Sequence, residues 1–211
     1  LFNRMRQQQD QAFLVKEGTP VNDPIPPIAA PPEAVQTLEA SYFRLYHMHA
    51  SLGPSAAVAH FEAGKLTVWS HTQGVYPLRS ALAQVLSLDK KDIRVIHMDG
   101  PGCYGHNGAD DAALDAALLA KSLPGRPVSV KWTRRDEHAW EPYGAATIIR
   151  MQASLDERGQ VIDWNHDVYG YTHMGRLRPS AESSGLLAAW HLERPLPPPK
   201  PFPIMAYHVG I

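Results

Sequence analysis

Gly100-Pro-Gly-Cys-Tyr-Gly-His-Asn-Gly-Ala-Asp-Asp111 is the stretch on which the fold turns. A strand-like run, Ile93-Arg-Val-Ile-His97, precedes it, and an alanine- and leucine-rich segment from about Ala112 to Ser122 follows with helical character. Glycines here remove the Cβ atoms that hold a ligand away from the backbone, and they permit positive φ in a tight turn. The following helix points its free N–H groups, and the positive end of its dipole, back into the loop. Strand, glycine loop and helix start together predict a seat for an anion or an oxo group.

The pattern Gly100-x-Gly102-x-x-Gly105 also fits the dinucleotide fingerprint of a Rossmann unit. A central parallel strand before such a loop should be a nearly continuous apolar run, yet this one contains Arg94, His97 and Asp99. The ribose-binding acid is expected about 20 residues on, at the end of the next strand. Here the next strand, Val128-Ser-Val-Lys-Trp132, ends in Thr133-Arg-Arg-Asp136, with the acid late and behind two arginines. A Rossmann-type NAD(P) or FAD oxidoreductase is therefore kept as the alternative.

Outward from the loop, strands alternate with helices. Ala56–Phe61 and Leu66–Ser70 flank Glu62-Ala-Gly-Lys65, a hairpin signal. Between Tyr76 and Leu86, Leu78, Leu82, Val85 and Leu86 share one helical face. A second hairpin is predicted for Ala145–Leu155 and Val161–Tyr169 across Asp156-Glu-Arg-Gly159. The expected class is mixed α/β, with parallel crossovers and antiparallel pairs together.

Four regions are expected. Residues 1–19 form an N-terminal helical segment, from the spacing of Leu1, Met5 and Ala12. Residues 20–40 form a linker around Pro20-Val-Asn-Asp-Pro-Ile-Pro-Pro-Ile-Ala-Ala-Pro-Pro32, since proline lacks the donor N–H. Residues 41–192 form the folded body, and residues 193–211 a second proline-rich arm. The chain opens on Leu1 rather than Met without a signal-peptide pattern, which reads as a trimmed or processed chain.

Composition narrows the function classes. Lys+Arg 20 against Asp+Glu 21 gives a net charge of -1, with no basic stripe for nucleic acid and no polybasic run for a membrane surface. No apolar run approaches the roughly 20 residues that span a bilayer. The single cysteine excludes an internal disulfide framework and a cysteine-ligated iron–sulfur cluster within this chain. That residue, Cys103, reads as a small side chain filling the turn. His47, His49 and His60 lack metal-motif spacing and read as structural, so no metal-ligating residue is assigned. Asp110 and Asp111 read as capping and dipole partners of the helix, Arg134-Arg-Asp-Glu137 as a surface or inter-domain charge cluster, and Trp132 and Trp140 as core.

A longer pattern runs through the flanks: Tyr46-His-Met-His-Ala-Ser-Leu-Gly-Pro-Ser-Ala-Ala-Val-Ala59, Lys65-Leu-Thr-Val-Trp-Ser-His-Thr-Gln-Gly74, the glycine loop, Val130-Lys-Trp-Thr-Arg-Arg-Asp-Glu-His-Ala-Trp-Glu-Pro-Tyr143 and Leu186-Leu-Ala-Ala-Trp-His191. In this order and spacing the chain resembles the molybdopterin-binding large subunit of the xanthine dehydrogenase and aldehyde oxidase family. The nearest branch looks like the isoquinoline 1-oxidoreductase and nicotinate dehydrogenase type. The resemblance covers about Ser41 to Trp190.

The resemblance implies the first part of a molybdenum-cofactor domain. Molybdenum would be held by a molybdopterin, in its cytosine dinucleotide form, and an aldehyde or N-heteroaromatic substrate hydroxylated with water-derived oxygen. It places Gln73 beside the metal, its amide donating to the apical oxo ligand without adding charge. It places Gly102, Cys103, Tyr104, Gly105 and His106 along the pterin, with Tyr104-Gly105 standing where the family has Phe-Gly. The family's basic residue after that loop is replaced by His106-Asn107, and Leu52-Gly53-Pro54 stands where many relatives have Glu-Pro. Implied partners are the rest of the large subunit, an iron–sulfur subunit with [2Fe–2S] clusters, and a flavin subunit or cytochrome c. The general-base glutamate lies outside this chain, so the chain alone is expected to be inactive. A non-catalytic assembly module and a short paralogue using half of the site are the remaining readings. The compartment is left open between cytoplasm and periplasm.

Overall fold

The computed structural model describes residues 14–16, 19–22, 29–170, 177, 183–199 and 205–210. In chain order they form β1 (Leu14–Lys16), β2 (Thr19–Val21), β3 (Gln36–Arg44), β4 (Ala56–Glu62), β5 (Lys65–Ser70), α1 (Val75–Leu86), β6 (Ile93–His97), α2 (Ala109–Ser122), β7 (Val128–Lys131), α3 (Arg134–Trp140), β8 (Thr147–Leu155), β9 (Val161–Gly170) and β10 (Met205–Gly210). Short 3₁₀ turns occupy Lys90–Asp92 and Leu187–His191. Among the described residues no helix is long and apolar enough to cross a membrane.

The class is the mixed α/β expected, but the chain divides into two compact units. One comprises residues 1–47, 145–173 and 201–211; the other comprises residues 48–144 and 174–200. The body expected over 41–192 is thus split. In the first unit β10, β9, β8 and β3 form an antiparallel sheet in that order, and β1 pairs with β2. β8 and β9 are the expected second hairpin, closed by Asp156 Oδ1, which accepts the N–H groups of Arg158 (2.8 Å) and Gln160 (2.9 Å).

Three boundaries are corrected here. The helix expected over 1–19 lies largely outside the described residues, and its Leu14–Lys16 part is strand, paired with Thr19–Val21. The linker expected over 20–40 ends by Val35, because Gln36–Arg44 runs as β3 along β8. The arm expected over 193–211 ends in β10, which begins after its last proline and hydrogen-bonds to β9.

The second unit holds the glycine loop. Its sheet has the order β6-β5-β4-β7, with β5 and β6 parallel and the other neighbours antiparallel. The β4–β5 hairpin turns through Ala63 and Gly64, at φ 46 and 79, as its two-residue loop requires. From β5 the chain crosses through α1 to β6, then through α2 to the opposite edge at β7. Ala57 and Ala59 of β4 and Leu66 and Val68 of β5 meet Leu78, Leu82 and Leu86 of α1 and Leu114 of α2 in one core. Ala113, Ala116, Ala117 and Ala120 are buried, and these small side chains let the α2 backbone lie close to the sheet.

β6 is an edge strand with Arg94 and His97 exposed and Ile93 and Val95 buried. That position explains charged residues that a central parallel strand would exclude, and it removes the central strand a Rossmann site needs. α2 starts at Ala109, three residues earlier than its composition suggests. Trp132 is buried, its Nε1 donating to Asp115 Oδ2 at 3.0 Å, whereas Trp140 is 55% exposed and is not core.

Candidate functional site

Because β5 and β6 are parallel neighbours, the loops leaving their C-terminal ends, 71–74 and 98–108, lie side by side at the start of α2. The seam begins at Ser70, whose carbonyl accepts the Met98 N–H (3.0 Å) and whose hydroxyl donates to the Ala109 carbonyl (3.3 Å). His71 is buried: its Nε2 accepts the Ala56 N–H (3.2 Å), and its Nδ1 lies 3.1 Å from Asn107 Nδ2. Burial holds this imidazole below its ordinary range, against the carboxylates of Glu137 and Asp110, which pull it up. Asn107 also donates to the Gly102 carbonyl (3.2 Å) and accepts the Ala109 N–H (3.1 Å). Thr72 is buried, and its hydroxyl donates to Asp110 Oδ1 (2.5 Å) while accepting the Gly74 N–H (3.0 Å). Gln73, between these two anchored neighbours, is exposed.

The glycine loop has a non-standard backbone. Gly102 and Gly105 have φ +101 and +145, and Tyr104, a residue with a Cβ, sits at +52. Among the described residues, nothing accepts the backbone N–H groups of Cys103, Tyr104, Gly105 or His106. Tyr104 is 63% exposed. Cys103 is half-buried, its Sγ 3.2 Å from the Gly105 carbonyl, as the turn-filling reading expects. His106 Nε2 lies 3.5 Å from Asp110 Oδ2, while its Nδ1 is buried and has no hydrogen-bond partner among the described residues.

Positive φ at Gly102 and Gly105 is as expected of the glycines, and three of the loop's glycines serve a second purpose as well. A Cβ on Gly100 would stand 2.6 Å from His71 Cβ, one on Gly105 2.1 Å from His49 Cδ2, and one on Gly108 2.3 Å from Trp132 Cζ3. At these three positions the missing side chain makes room for the protein itself. His49 is fixed in turn: its N–H goes to Glu141 Oε1 (2.5 Å) and its Nδ1 lies 3.0 Å from the Pro142 carbonyl.

Two further expectations are corrected. Asp110 and Asp111 stand in the first turn of α2, where the dipole reading has them, but neither caps the helix; Asp110 joins Thr72, and Asp111 Oδ1 accepts the Leu187 N–H (2.8 Å). Glu137 is not a surface charge. It is fully buried, accepting Ser55 N–H (2.7 Å), Ser55 O–H (3.0 Å) and Gly108 N–H (3.3 Å). Within the same segment, Thr133 and Asp136 form a capping box at the start of α3, and Arg134 donates to the carbonyls of Ser51 and Leu52. The Leu52-Gly53-Pro54 segment is thereby held against Pro101, whose carbonyl accepts the Leu52 N–H (3.2 Å). His71, Thr72 and Asp110 were missed as a group; polar residues at a buried strand end beside a glycine loop were the available signal.

Burial drives the Asp111 carboxyl up to about 7, with Asp110, Asp115 and Glu137 adding to the shift and the Leu187 N–H opposing it. A raised folded-state pKa means that the folded protein holds the proton where the unfolded chain, near 3.8, has lost it. The contribution of Asp111 to stability is therefore expected to fall as pH rises from about 4 to about 7. Asp111→Asn should flatten that slope in thermal melts across the same window; an unchanged slope would refute the assignment.

A cavity of about 460 Å³ lies on the sheet beside the seam, lined by Pro54, Val58, Trp69, Met98, Gly100 and Pro101 among others. Neither Gln73 nor residues 102–106 line it. Among the described residues, no three His, Cys, Asp or Glu side chains converge to hold a metal ion.

Residues 27–193 match the molybdopterin cofactor-binding domain, and the chain belongs to that family. It is 46% identical over 128 residues to a nicotinate dehydrogenase subunit of Pseudomonas putida, covering 61% of this chain and 11% of that protein. It is 27% identical over 158 residues to the aldehyde oxidoreductase molybdenum-binding subunit PaoC of Escherichia coli K12, covering 74% of this chain and 21% of that one. The chain thus spans between a tenth and about a fifth of these curated relatives. Quinoline 2-oxidoreductase from Pseudomonas putida 86 shares the fold with a TM-score of 0.53 at 20% identity, over 61% of this chain and 16% of that one. Aldehyde oxidoreductase from Desulfovibrio gigas does so with a TM-score of 0.51 at 18% identity, over 61% and 14%.

Proposed function

We propose that this chain is the pterin-binding part of a molybdenum hydroxylase large subunit acting on an aldehyde or N-heteroaromatic compound. The observation that supports this reading best is the run of unpaired N–H groups from Cys103 to His106, bent by positive φ at Gly102, Tyr104 and Gly105. These amides would hold the acceptor edge of a molybdopterin, in the cytosine dinucleotide form, and the orphaned His106 Nδ1 would meet a polar group of the same ligand. When bound, that cofactor supplies the oxidative chemistry. Gln73 would orient it through a neutral amide donor. Glu137 is too buried, and too fully engaged, to act as a base. Electrons would leave through [2Fe–2S] clusters on an iron–sulfur subunit and on to a flavin subunit or cytochrome c, since this chain holds one cysteine.

Metal analysis and nucleotide extraction on the complex purified from its source test the reading: molybdenum and a cytosine nucleotide are expected. Nicotinamide binding without molybdenum would overturn it. Gln73→Ala should keep the cofactor and slow turnover by about 10²-fold, the low end for loss of an oriented donor at a reacting centre. Tyr104→Phe should keep molybdenum near the wild-type level, because the exposed ring serves no hydrogen bond among the described residues.

A further inference from the structure

We propose that Asp110 is a positioning residue, one buried carboxylate that clasps the Gln73 loop to the glycine loop and sets their separation. The inference rests on the function proposed above. Asp110 is 9% exposed and rooted in the first turn of α2, a rigid element packed on the sheet. One oxygen accepts the Thr72 hydroxyl at 2.5 Å; the other lies 3.5 Å from His106 Nε2. Thr72 immediately precedes Gln73, and His106 immediately follows Gly105.

The Thr72 hydroxyl spends its proton on Asp110 and uses a lone pair for the Gly74 N–H at 3.0 Å. Gln73 is thus bracketed by Thr72, bonded directly to the carboxylate, and Gly74, bonded to the Thr72 hydroxyl, and the Thr72 carbonyl lies 3.0 Å from His97 Nδ1. Such an N–H···O–H···O⁻ chain, ending on a charge in a dry interior, is stiffer than its separate bonds. Its two oxygens reach the two loops that flank the site, one through Thr72 and one through His106. Misplacing a functional group by about 1 Å costs on the order of 10² in rate, so this clasp determines how well Gln73 works without itself touching a ligand.

The test uses the intact complex with three substitutions. Thr72→Val keeps the shape and removes the hydroxyl, Thr72→Ser restores it, and Asp110→Ala removes the carboxylate. Amide exchange at Gly74 is expected to rise about 10-fold or more in Thr72→Val and Asp110→Ala but not in Thr72→Ser. Turnover should fall about 10- to 10²-fold in the first two, at unchanged KM and molybdenum content, with a shifted Mo(V) paramagnetic resonance signal. Thr72→Ser should return within about 2-fold of wild type.

Unchanged exchange at Gly74 would overturn the clasp. Raised exchange with wild-type turnover and resonance would overturn its catalytic consequence. A fall in turnover matched by an equal loss of molybdenum would reduce Asp110 to a cofactor-retention role and overturn the proposal as well. A wild-type complex without molybdenum would sink the proposed function, and the catalytic consequence with it, while the exchange measurement would still decide the clasp.

Discussion

Gly105→Val is expected to strip the complex of molybdenum, by more than about 10-fold in metal per subunit, while the hairpin and helices of its unit stay folded. Two physical obstacles coincide at this residue. Its φ of +145 is a conformation that β-branched side chains resist. A Cβ there would also stand 2.1 Å from His49 Cδ2 and 2.3 Å from Nε2, and that ring is held by the Pro142 carbonyl. Since the clash is with the protein, Gly105→Val alone does not isolate the ligand's demand for space. Pairing Gly105→Ala with His49→Ala does. The overlap is then gone and only the backbone strain, about 1–3 kcal/mol, remains. The pair is expected to regain about half of the molybdenum that Gly105→Ala loses, measured by metal analysis with circular dichroism as the folding control. Full molybdenum and activity in Gly105→Val would make the loop a structural turn and remove the basis of the proposed function.

That experiment bears on how a glycine-rich loop is read. Three of its glycines yield space to His71, His49 and Trp132, so their spacing encodes packing of the loop on its own scaffold. Under the proposed function, the face offered to a ligand would be the unpaired amides of residues 103–106 and Tyr104, exposed and left-handed. Packing at the back of the loop holds its front in shape. Gly100-x-Gly102-x-x-Gly105 therefore resembles a dinucleotide fingerprint by spacing alone; its strand is at a sheet edge, and its helix begins four residues after the last of these glycines.

Local signals made most of the second unit legible. Glu62-Ala-Gly-Lys65 specified a two-residue turn, and Leu78, Leu82 and Leu86 specified the buried face of α1, because each depends on neighbours within a few residues. β3 was invisible for the opposite reason. All nine of its residues are exposed, so no alternation of burial marks it, and its partner β8 lies about a hundred residues away. The division into two units follows from such long-range pairing and could not be read locally. For the proposed site, the glycine loop was legible from its own residues as a seat for an anion or oxo group, whereas Gln73 and the pterin role of residues 102–106 came only from the family resemblance. The buried acids were misread because charge at a helix start ordinarily means solvent or a cap, whereas here neutral donors from other segments surround it.

Glu137→Ala is expected to be the most damaging single substitution for stability, costing about 3–5 kcal/mol once the three neutral donors it leaves unsatisfied have partly relaxed. The side chain is fully buried and gathers three donors from two distant segments: the N–H and hydroxyl of Ser55 ahead of β4, and the N–H of Gly108 at the start of α2. Truncation leaves all three in the interior without an acceptor, at about 1–3 kcal/mol for each unsatisfied group before relaxation. Glu137→Gln keeps the volume and one acceptor oxygen but turns an NH2 toward a donor, so a loss of about half that size is expected. Denaturant titration should show a lower midpoint at an unchanged slope. A midpoint shift equivalent to less than about 1 kcal/mol for Glu137→Ala would show that the three donors find other partners and that Glu137 is no anchor. Because Gly108 leads directly into the turn that holds Asp110, the same substitution should loosen the Thr72 clasp. Exchange at Gly74 should rise in Glu137→Ala even under conditions where the unit as a whole remains folded.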